Sequence, residues 1–565
     1  MRVEILVVSL CLLLLVPVFE TAAAWIDDGN LVDPGDTSWH LSADNIAPDG
    51  SGGAIVIWHE EYWGPGDVHY FMCQRIDTDG IVQWSSPASI SGYPFEHSGI
   101  ASDDAGGAFM VRSDSEFMGW YGLGLARIYA DGSSSSVVFW QDATYDIMAN
   151  CHHDIIPDGA GGTILTWSGT FFNDFNGGDI AGVFVVAQRI DSGNNRLWGD
   201  SGVYVCMGSE GKAYPRVVSD SGGGVIILWL DYRDDGDIYA QRLDGSGTEL
   251  WTTDGLPVMT AGVPQSHIRM IPDGSGGAIF AWEDERNGNT DIYAQRIDGS
   301  GSVLWAADGM PVCTATGDQV EAYLVSDGAG GAIISWCDPR SGDLDIYAQR
   351  IDASGTALWG TGGLAIVSGL GDQRCGRIQE YGSGGAIISY VDDSNGDMNI
   401  MTQHIDGDGI MHWGPNGISV CSAAGDQDNI VMTTDGAGGA IIAWDDARSS
   451  EWEEIYASRV TYPVTTDDRV EPSAATMLDQ NHPNPFNPST TISFSLSTPS
   501  YVSLRIYDAS GRYIRTLIDE PYDAGRHEER WDGRDDHGRE LSSGLYFCRI
   551  EAGALSETRK MVLLR

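Results

Sequence analysis

The chain has 565 residues, with 81 acidic side chains against 31 basic ones and a formal charge of −50. Such a surface repels phosphate backbones and anionic lipid, which argues against nucleic acid as a partner and favours divalent cations or cationic ligands. The 73 glycines and 19 tryptophans, with little helix-type periodicity, point to many short strands joined by tight turns.

Residues 1–24 carry Arg2, an apolar run from Ile5 to Val18, and "ETAAAW", whose Ala22 and Ala24 fit a signal-peptidase site. The apolar core is shorter than the ~20 residues needed to span a bilayer, so it reads as an export signal cleaved after Ala24 rather than as an anchor. No second spanning segment follows, and the mature chain is expected to be secreted or surface-attached by way of the periplasm. Export permits disulfides. Cys206, Cys313 and Cys421, however, share one repeat position too far apart to pair, and read as small buried residues. Cys73, Cys151, Cys337, Cys375 and Cys548 stay unassigned.

From Trp25 to residue 463 the chain repeats itself. The second glycine of each "GG" pair falls at Gly53, Gly107, Gly162, Gly224, Gly277, Gly331, Gly385 and Gly439, and five positions later stands Trp58, Trp167, Trp229, Trp282, Trp336 or Trp444, with Arg112 and Tyr390 as exceptions. One unit contains four strand-like runs, "SHIRMIPD", "GGAIFAWED", "DIYAQRID" and "SVLWAADGMPV", separated by turn chemistry. The second run is apolar at successive positions, as in a sheet covered on both faces. Repeated four-stranded units of about fifty residues predict an all-β chain dominated by an eight-bladed β-propeller.

The fourth run has its own tryptophans: Trp84, Trp140, Trp198, Trp251, Trp305, Trp359 and Trp413, one fewer than the glycine pairs. Trp25 in "WIDDGNLV" supplies the missing copy, matching "WTTDGLPV" and "WAADGMPV". The N-terminal strand is therefore expected to complete the last blade and close the ring without a covalent link, removing two open sheet edges. A linear solenoid with atypical caps at both ends is the alternative.

Two positions after the aromatic ruler an acid recurs, as in Asp231, Asp284 and Asp338. A second acid precedes the third strand at Asp237, Asp291 and Asp345, and Arg233, Arg286 and Arg340 follow the first acid by two. These residues read first as a hairpin staple, with Asp capping turn amides and pairing with Arg. The sharper expectation is calcium held by the same hairpin carboxylates, although neither "DYRDDGD" nor "DDSNGD" fits an EF-hand loop. Ten residues before the ruler glycine stand Ala43, His97, His152, Tyr214, His267, Glu321, Cys375 and Asn429. If the first strand is innermost, this register lines the channel mouth. His97, His152, Tyr214, His267 and Glu321 are then candidate ligand-binding residues, against the plainer reading of a hydrated channel with assorted polar groups.

After a polar linker at 464–479, residues 480–565 read as alternating strands of a small sandwich with Trp531 and Tyr546 in its core. Pro483, Asn484, Pro485 and Phe486, with Trp531, Gly533, Gly544, Tyr546 and Lys560, resemble the FlgD-type immunoglobulin-like domain and the type A C-terminal sorting domain of bacterial type IX secretion. That resemblance implies a passenger delivered to the outer membrane by the secretion machinery; an Ig-like module without a sorting role is the alternative. The N-terminal repeats resemble secreted bacterial β-propeller proteins of unknown activity.

No nucleophile elbow, HExxH, Walker loop or dinucleotide fingerprint occurs. Three functional readings remain open. The first is a non-enzymatic propeller binding a glycan or protein on the face that bears the hairpin loops; the opposite face, with its uniform "DGxGG" turns, is expected to offer a ligand little. The second is a glycan-active hydrolase or lyase at the channel mouth, and the third a calcium-stabilised structural surface protein.

Overall fold

A computed structural model describes residues 25–564 except 27, 34–39, 63–67, 92–97, 117–119, 141–145, 149–151, 173–179, 235, 261, 263–264, 370, 383, 449–452, 462–476, 479–485, 487, 497–499, 510–511, 523–524 and 553–554. Residues 1–24, read above as an export signal, His97, Cys151, Pro483, Asn484 and Pro485 and nearly all of the linker lie outside the described residues. Among those described there is no α-helix, and no helix long and apolar enough to cross a membrane.

Between residues 30 and 460 the strands form antiparallel sheets that follow one another along the chain and resemble propeller blades. In the fifth, Gln265–Pro272, Ala278–Asp284, Asp291–Ile297 and Met310–Cys313 pair in sequence order. Every residue of Ala278–Asp284 is buried, because its alternate side chains enter two different cores. Ala278, Phe280 and Trp282 pack against Ile226 and Leu228 of the sheet before, while Ile279 and Ala281 pack against Ile334 and Trp336 of the sheet after. Burying a side chain such as Phe280 contributes about 1.5–3 kcal/mol, and this two-sided use of one strand is why its sequence does not alternate.

The glycine ruler has a steric cause. In "DGSGG" Asp273 accepts hydrogen bonds from the amides of Ser275 and Gly277, both at 2.7 Å, while Arg296 donates to its other oxygen at 2.8 Å. A Cβ on Gly277 would lie 2.1 Å from the carbonyl oxygen of Ile297, so only glycine fits. Arg296 also bonds the carbonyl of Ala353 in the next sheet at 2.9 Å, and Trp305 Nε1 donates to that same oxygen at 3.2 Å. Arg242 and Trp251 meet at Gly299, and Arg350 and Trp359 at Gly407, in the same way. The fourth, fifth and sixth sheets are thus each tied to the next by one arginine and one tryptophan.

The last sheet obeys the rule only with help from the N-terminus. Asn30–Asp33 pairs antiparallel with Glu454–Val460 as the fourth strand of the sheet containing Gln427–Thr434 and Ala440–Asp446. Its tryptophan is Trp25, which donates to the carbonyl of Thr78 at 2.9 Å, the oxygen that Arg459 also reaches at 3.4 Å. Val32 joins Ile441, Ala443 and Ile455 on one side and Val56 and Trp58 on the other in a single buried cluster. First strands touch first strands throughout, and the circuit runs from Gln427–Thr434 back to His40–Pro48. These contacts bear out the displaced strand and are at odds with an open solenoid.

The C-terminal residues form two further sheets. One contains Met477–Leu478, Thr490–Leu496 and Gly525–Trp531; the other contains Tyr513–Tyr522, Ser500–Asp508, Gly544–Ala552 and Leu555–Leu563. Phe486, Phe494, Leu504, Trp531, Tyr546 and Met561 share their core. Trp531 Nε1 donates to the carbonyl of Arg534 at 3.1 Å and the Tyr546 hydroxyl to that of Ser542 at 2.9 Å, so both buried rings satisfy their polar atoms. Gly533 holds a left-handed turn at φ 69° beside Pro488, and Lys560 is exposed.

Candidate functional site

The register chosen from sequence coincides with a β-bulge. Pairing between first and second strands slips between Ala213 and Arg216, Ser266 and Arg269, Val320 and Tyr323, and Asp428 and Val431. At each slip sits a non-glycine residue in left-handed conformation: Tyr214 at φ 51°, His267 at 52°, Glu321 at 57° and Asn429 at 53°. An extra residue in an inner strand re-aims its side chain and leaves a backbone amide facing sideways. Glu283 Oε1 accepts the amide of Glu321 across the sheet boundary at 2.8 Å, and Asp445 Oδ1 accepts that of Ala43 at 2.7 Å.

Of the five candidate ligand-binding residues, His97 lies outside the described residues. The other four line consecutive inner strands. The His152 and Tyr214 rings meet with centroids 3.7 Å apart, and Tyr214 is exposed. His267 presents 66% of its side chain to solvent and bonds Glu283 Oε2 through Nδ1 at 2.8 Å, an interaction that raises its pKa. Glu321 is open to water yet walled in by protein; desolvation pushes its carboxyl up, against the pull of Arg377. At the seam between last and first sheets, burial pushes Asp445 up to about 8, opposed by its bonds from Ala43 and Asn429. Both Asp445 oxygens are occupied, which makes it a seam residue.

The hairpin carboxylates proposed for calcium are not open loop ligands. Asp231, Asp237, Asp284, Asp291, Asp338 and Asp345 are all buried at strand ends. Asp284 accepts Trp282 Nε1 at 2.9 Å, the amide of Arg286 at 3.0 Å and the Arg286 guanidinium at 2.5 Å; Asp338 is held likewise by Trp336 and Arg340. Asp231 adds Lys212 Nζ at 3.0 Å. Asp291 takes the side-chain amides of Asn287 and Asn289 at 2.6 and 2.8 Å, and Asp345 takes the Ser341 hydroxyl. This is the staple geometry. Among the described residues no group of three or more His, Cys, Asp or Glu is arranged to hold a metal ion.

Cys206, Cys313 and Cys421 are free and buried, each beside the Arg of its staple: Arg233, Arg340 and Arg448 lie 3.0, 2.7 and 3.2 Å from their sulfur atoms. Cys337 is disulfide-bonded, which the spacing had not indicated. On the turn face a cavity of about 570 Å³ opens between Ile156, Pro157, Val218, Ser219 and Pro272. Sequence reasoning also missed a second ring of inner-strand side chains, two residues beyond the bulge, that contains Arg216, Arg269 and Arg377. Its signal was available eight positions before each ruler glycine.

Compared with known proteins, the chain is similar in fold to a puromycin-hydrolysing peptidase of Mycobacterium tuberculosis, at 12% identity and TM-score 0.38 over 74% of this chain and 62% of that one. The chain thus spans less than two thirds of that relative. An ulvan lyase of a polysaccharide lyase family matches at 12% identity and TM-score 0.36, over 71% of this chain and 97% of that one. PorZ, a surface component of the type IX secretion system of Porphyromonas gingivalis, matches at 9% identity and TM-score 0.25, over 93% and 81%. No curated protein matches the chain. At such distances these likenesses carry no argument about activity. Residues 483–555 are found to be a FlgD Ig-like domain.

Proposed function

We propose that this chain is an exported, eight-bladed β-propeller that binds a glycan or protein ligand at its channel mouth, with a C-terminal Ig-like sorting module that hands it to the secretion machinery. One observation carries the reading. Tyr214, His267, Glu321 and Asn429 all sit in left-handed backbone, each at a cost of about 1–3 kcal/mol that a glycine would avoid. Strain repeated around one rim and presenting a phenol ring, an imidazole, a carboxylate and a side-chain amide is what a recognition surface requires, because it fixes the side chains before the ligand arrives.

The test follows from the same geometry. A glycan and protein-ligand screen on the mature chain identifies a binder, and Tyr214→Gly and His267→Gly are then compared with the parent. Binding is expected to fall at least ~10-fold while stability holds or rises by up to about 1 kcal/mol. Unchanged affinity in both variants would remove the mouth from the site.

A glycan-active hydrolase or lyase is the second reading, supported by Glu321: a mouth carboxyl pushed up by desolvation, whose backbone amide bonds Glu283, the partner of His267. If a glycan binder is turned over, Glu321→Gln should abolish turnover and leave binding within a few-fold. Equal loss of both assigns Glu321 to binding alone.

A further inference from the structure

Two residues beyond the bulge, the first strands direct Asp154, Arg216, Arg269, Tyr323 and Arg377 toward their neighbours around the channel, from five successive sheets. Arg216 Nε donates to the carbonyl of Ile268 at 3.0 Å. The guanidinium carbons of Arg269 and Arg377 lie 5.2 and 4.7 Å from the centre of the Tyr323 ring, and Arg377 donates to the Tyr323 hydroxyl at 2.9 Å. Three arginines thus share one arc, with a tyrosine between two of them.

What sets this arc apart is the missing counter-charge. The arginines of the turns and hairpins, among them Arg242, Arg286, Arg296 and Arg340, each grip an aspartate within 2.8 Å. Among the described residues no carboxylate lies within ion-pair distance of Arg216, Arg269 or Arg377, although the chain holds 81 acids. Asp154, the one acid of the layer, spends its oxygens on the amides of Ile155 and Val217 at 3.0 and 2.9 Å. Glu283, in the layer above, is engaged by His267 and the Glu321 amide, and Asp428 accepts the amide of Asn429 at 2.7 Å. Glu321 attracts Arg377 from that layer without pairing with it. Burial pushes Arg216 below the usual guanidinium range; the Asp154 carboxylate opposes this and the neighbouring Arg269 adds to it, so a single acid, beyond ion-pair distance, faces the arginines of this layer. The cavity on the turn face is lined by Ile156 and Val218, each two residues further along the strands that carry Asp154 and Arg216, which places it next to the arc along those strands.

We infer that the Arg216–Arg269–Arg377 arc is a binding site for a compact oxyanion, a carboxylate or sulfate group, that enters from the turn face. Guanidinium forks match the planar oxygens of such groups, and partial desolvation strengthens each charge-assisted hydrogen bond. The inference stands apart from recognition at the mouth, which uses the residues of the adjoining layer.

The probes are sodium sulfate and sodium glucuronate, with glucose as the neutral sugar and sodium chloride at matched ionic strength, read by thermal shift and calorimetry on the full mature chain. A saturable stabilisation of about 2–5 °C beyond chloride is expected from at least one anion and none from glucose. Tighter saturation by glucuronate assigns a sugar carboxylate, and tighter saturation by sulfate a free inorganic anion. The Arg269 guanidinium makes no hydrogen bond among the described residues, so Arg269→Gln is expected to fold and to bind at least ~10-fold more weakly, with Arg269→Lys intermediate. Tyr214→Gly should leave the anion response intact, so failure at the mouth and failure here can be told apart. No saturable response to either anion, or an equal response in Arg269→Gln and Arg269→Lys, would overturn the site.

Discussion

Gly29 offers a sharp test of how the N-terminal strand sits. It holds φ at 87°, and a Cβ there would come within 2.4 Å of Trp444 Cη2 and 3.1 Å of the Ala457 carbonyl oxygen. Gly309 bears the same relation to Trp282 in the middle of the array, also at 2.4 Å. Alanine in left-handed backbone costs about 1–2 kcal/mol. Pressing a methyl group against a fully buried indole adds about 1–3 kcal/mol, since neither the ring nor the carbonyl has room to withdraw. Gly29→Ala should therefore destabilise by about 2–5 kcal/mol. At roughly 1 °C per kcal/mol for a cooperative unit of this length, the melting temperature should fall by about 2–5 °C. Tryptophan fluorescence melts of Gly29→Ala, Gly309→Ala and the parent measure this directly. Removing Trp25 to Val32 should lower it at least as far, because it uncovers Trp444 and breaks the 2.6 Å bond from Arg448 to the Asp28 carbonyl. If Gly29→Ala and the truncation both melt like the parent while Gly309→Ala does not, the N-terminal segment does not lie on Trp444.

Three further outcomes are expected. Burial alone would raise the pKa of Asp231, but hydrogen bonds from Arg233, Trp229 and Lys212 overcome it and hold the carboxyl down at about 2. Its contribution is fully present above pH 3.8 and is lost as pH falls through about 2. Asp231→Asn, which strands the buried Lys212 ammonium, should cost about 3 kcal/mol at pH 7, with the gap to the parent narrowing below pH 4 in urea titrations. Because Trp, Arg and backbone groups already occupy the hairpin carboxylates, chelation with excess EGTA should leave the melting temperature unchanged; a fall of several degrees would return calcium to those hairpins. Truncation after residue 480 should leave a folded propeller that accumulates in the periplasm of a host with type IX secretion, and normal surface delivery of that truncation would refute the sorting role.

The repeat was legible in the sequence because its period reports local requirements that recur in every sheet. Gly277 is demanded by a carbonyl 2.1 Å from where its Cβ would be, Asp273 by two turn amides, and Trp282 by the buried oxygen of Asp284 two residues on. The same register placed Trp25, whose equivalent partner proved to be the Thr78 carbonyl. Where the chain escapes this rule the substitution is paired: Tyr381 and His404 replace Asp and Arg together, their rings 4.5 Å apart.

What the tertiary structure alone decided is which inner-strand side chains meet. The left-handed bulge at His267 adds a residue to the strand and breaks the period-two count, so the facing of Arg269 does not follow from its neighbours. Arg216, Arg269 and Arg377 are more than fifty residues apart in sequence, and although they share one repeat position, eight before the ruler glycine, that position alone does not say whether an aspartate faces them. Only the packing of sheet on sheet sets three guanidinium groups, none in an ion pair among the described residues, side by side, with the N-terminal strand joining the last sheet to the first.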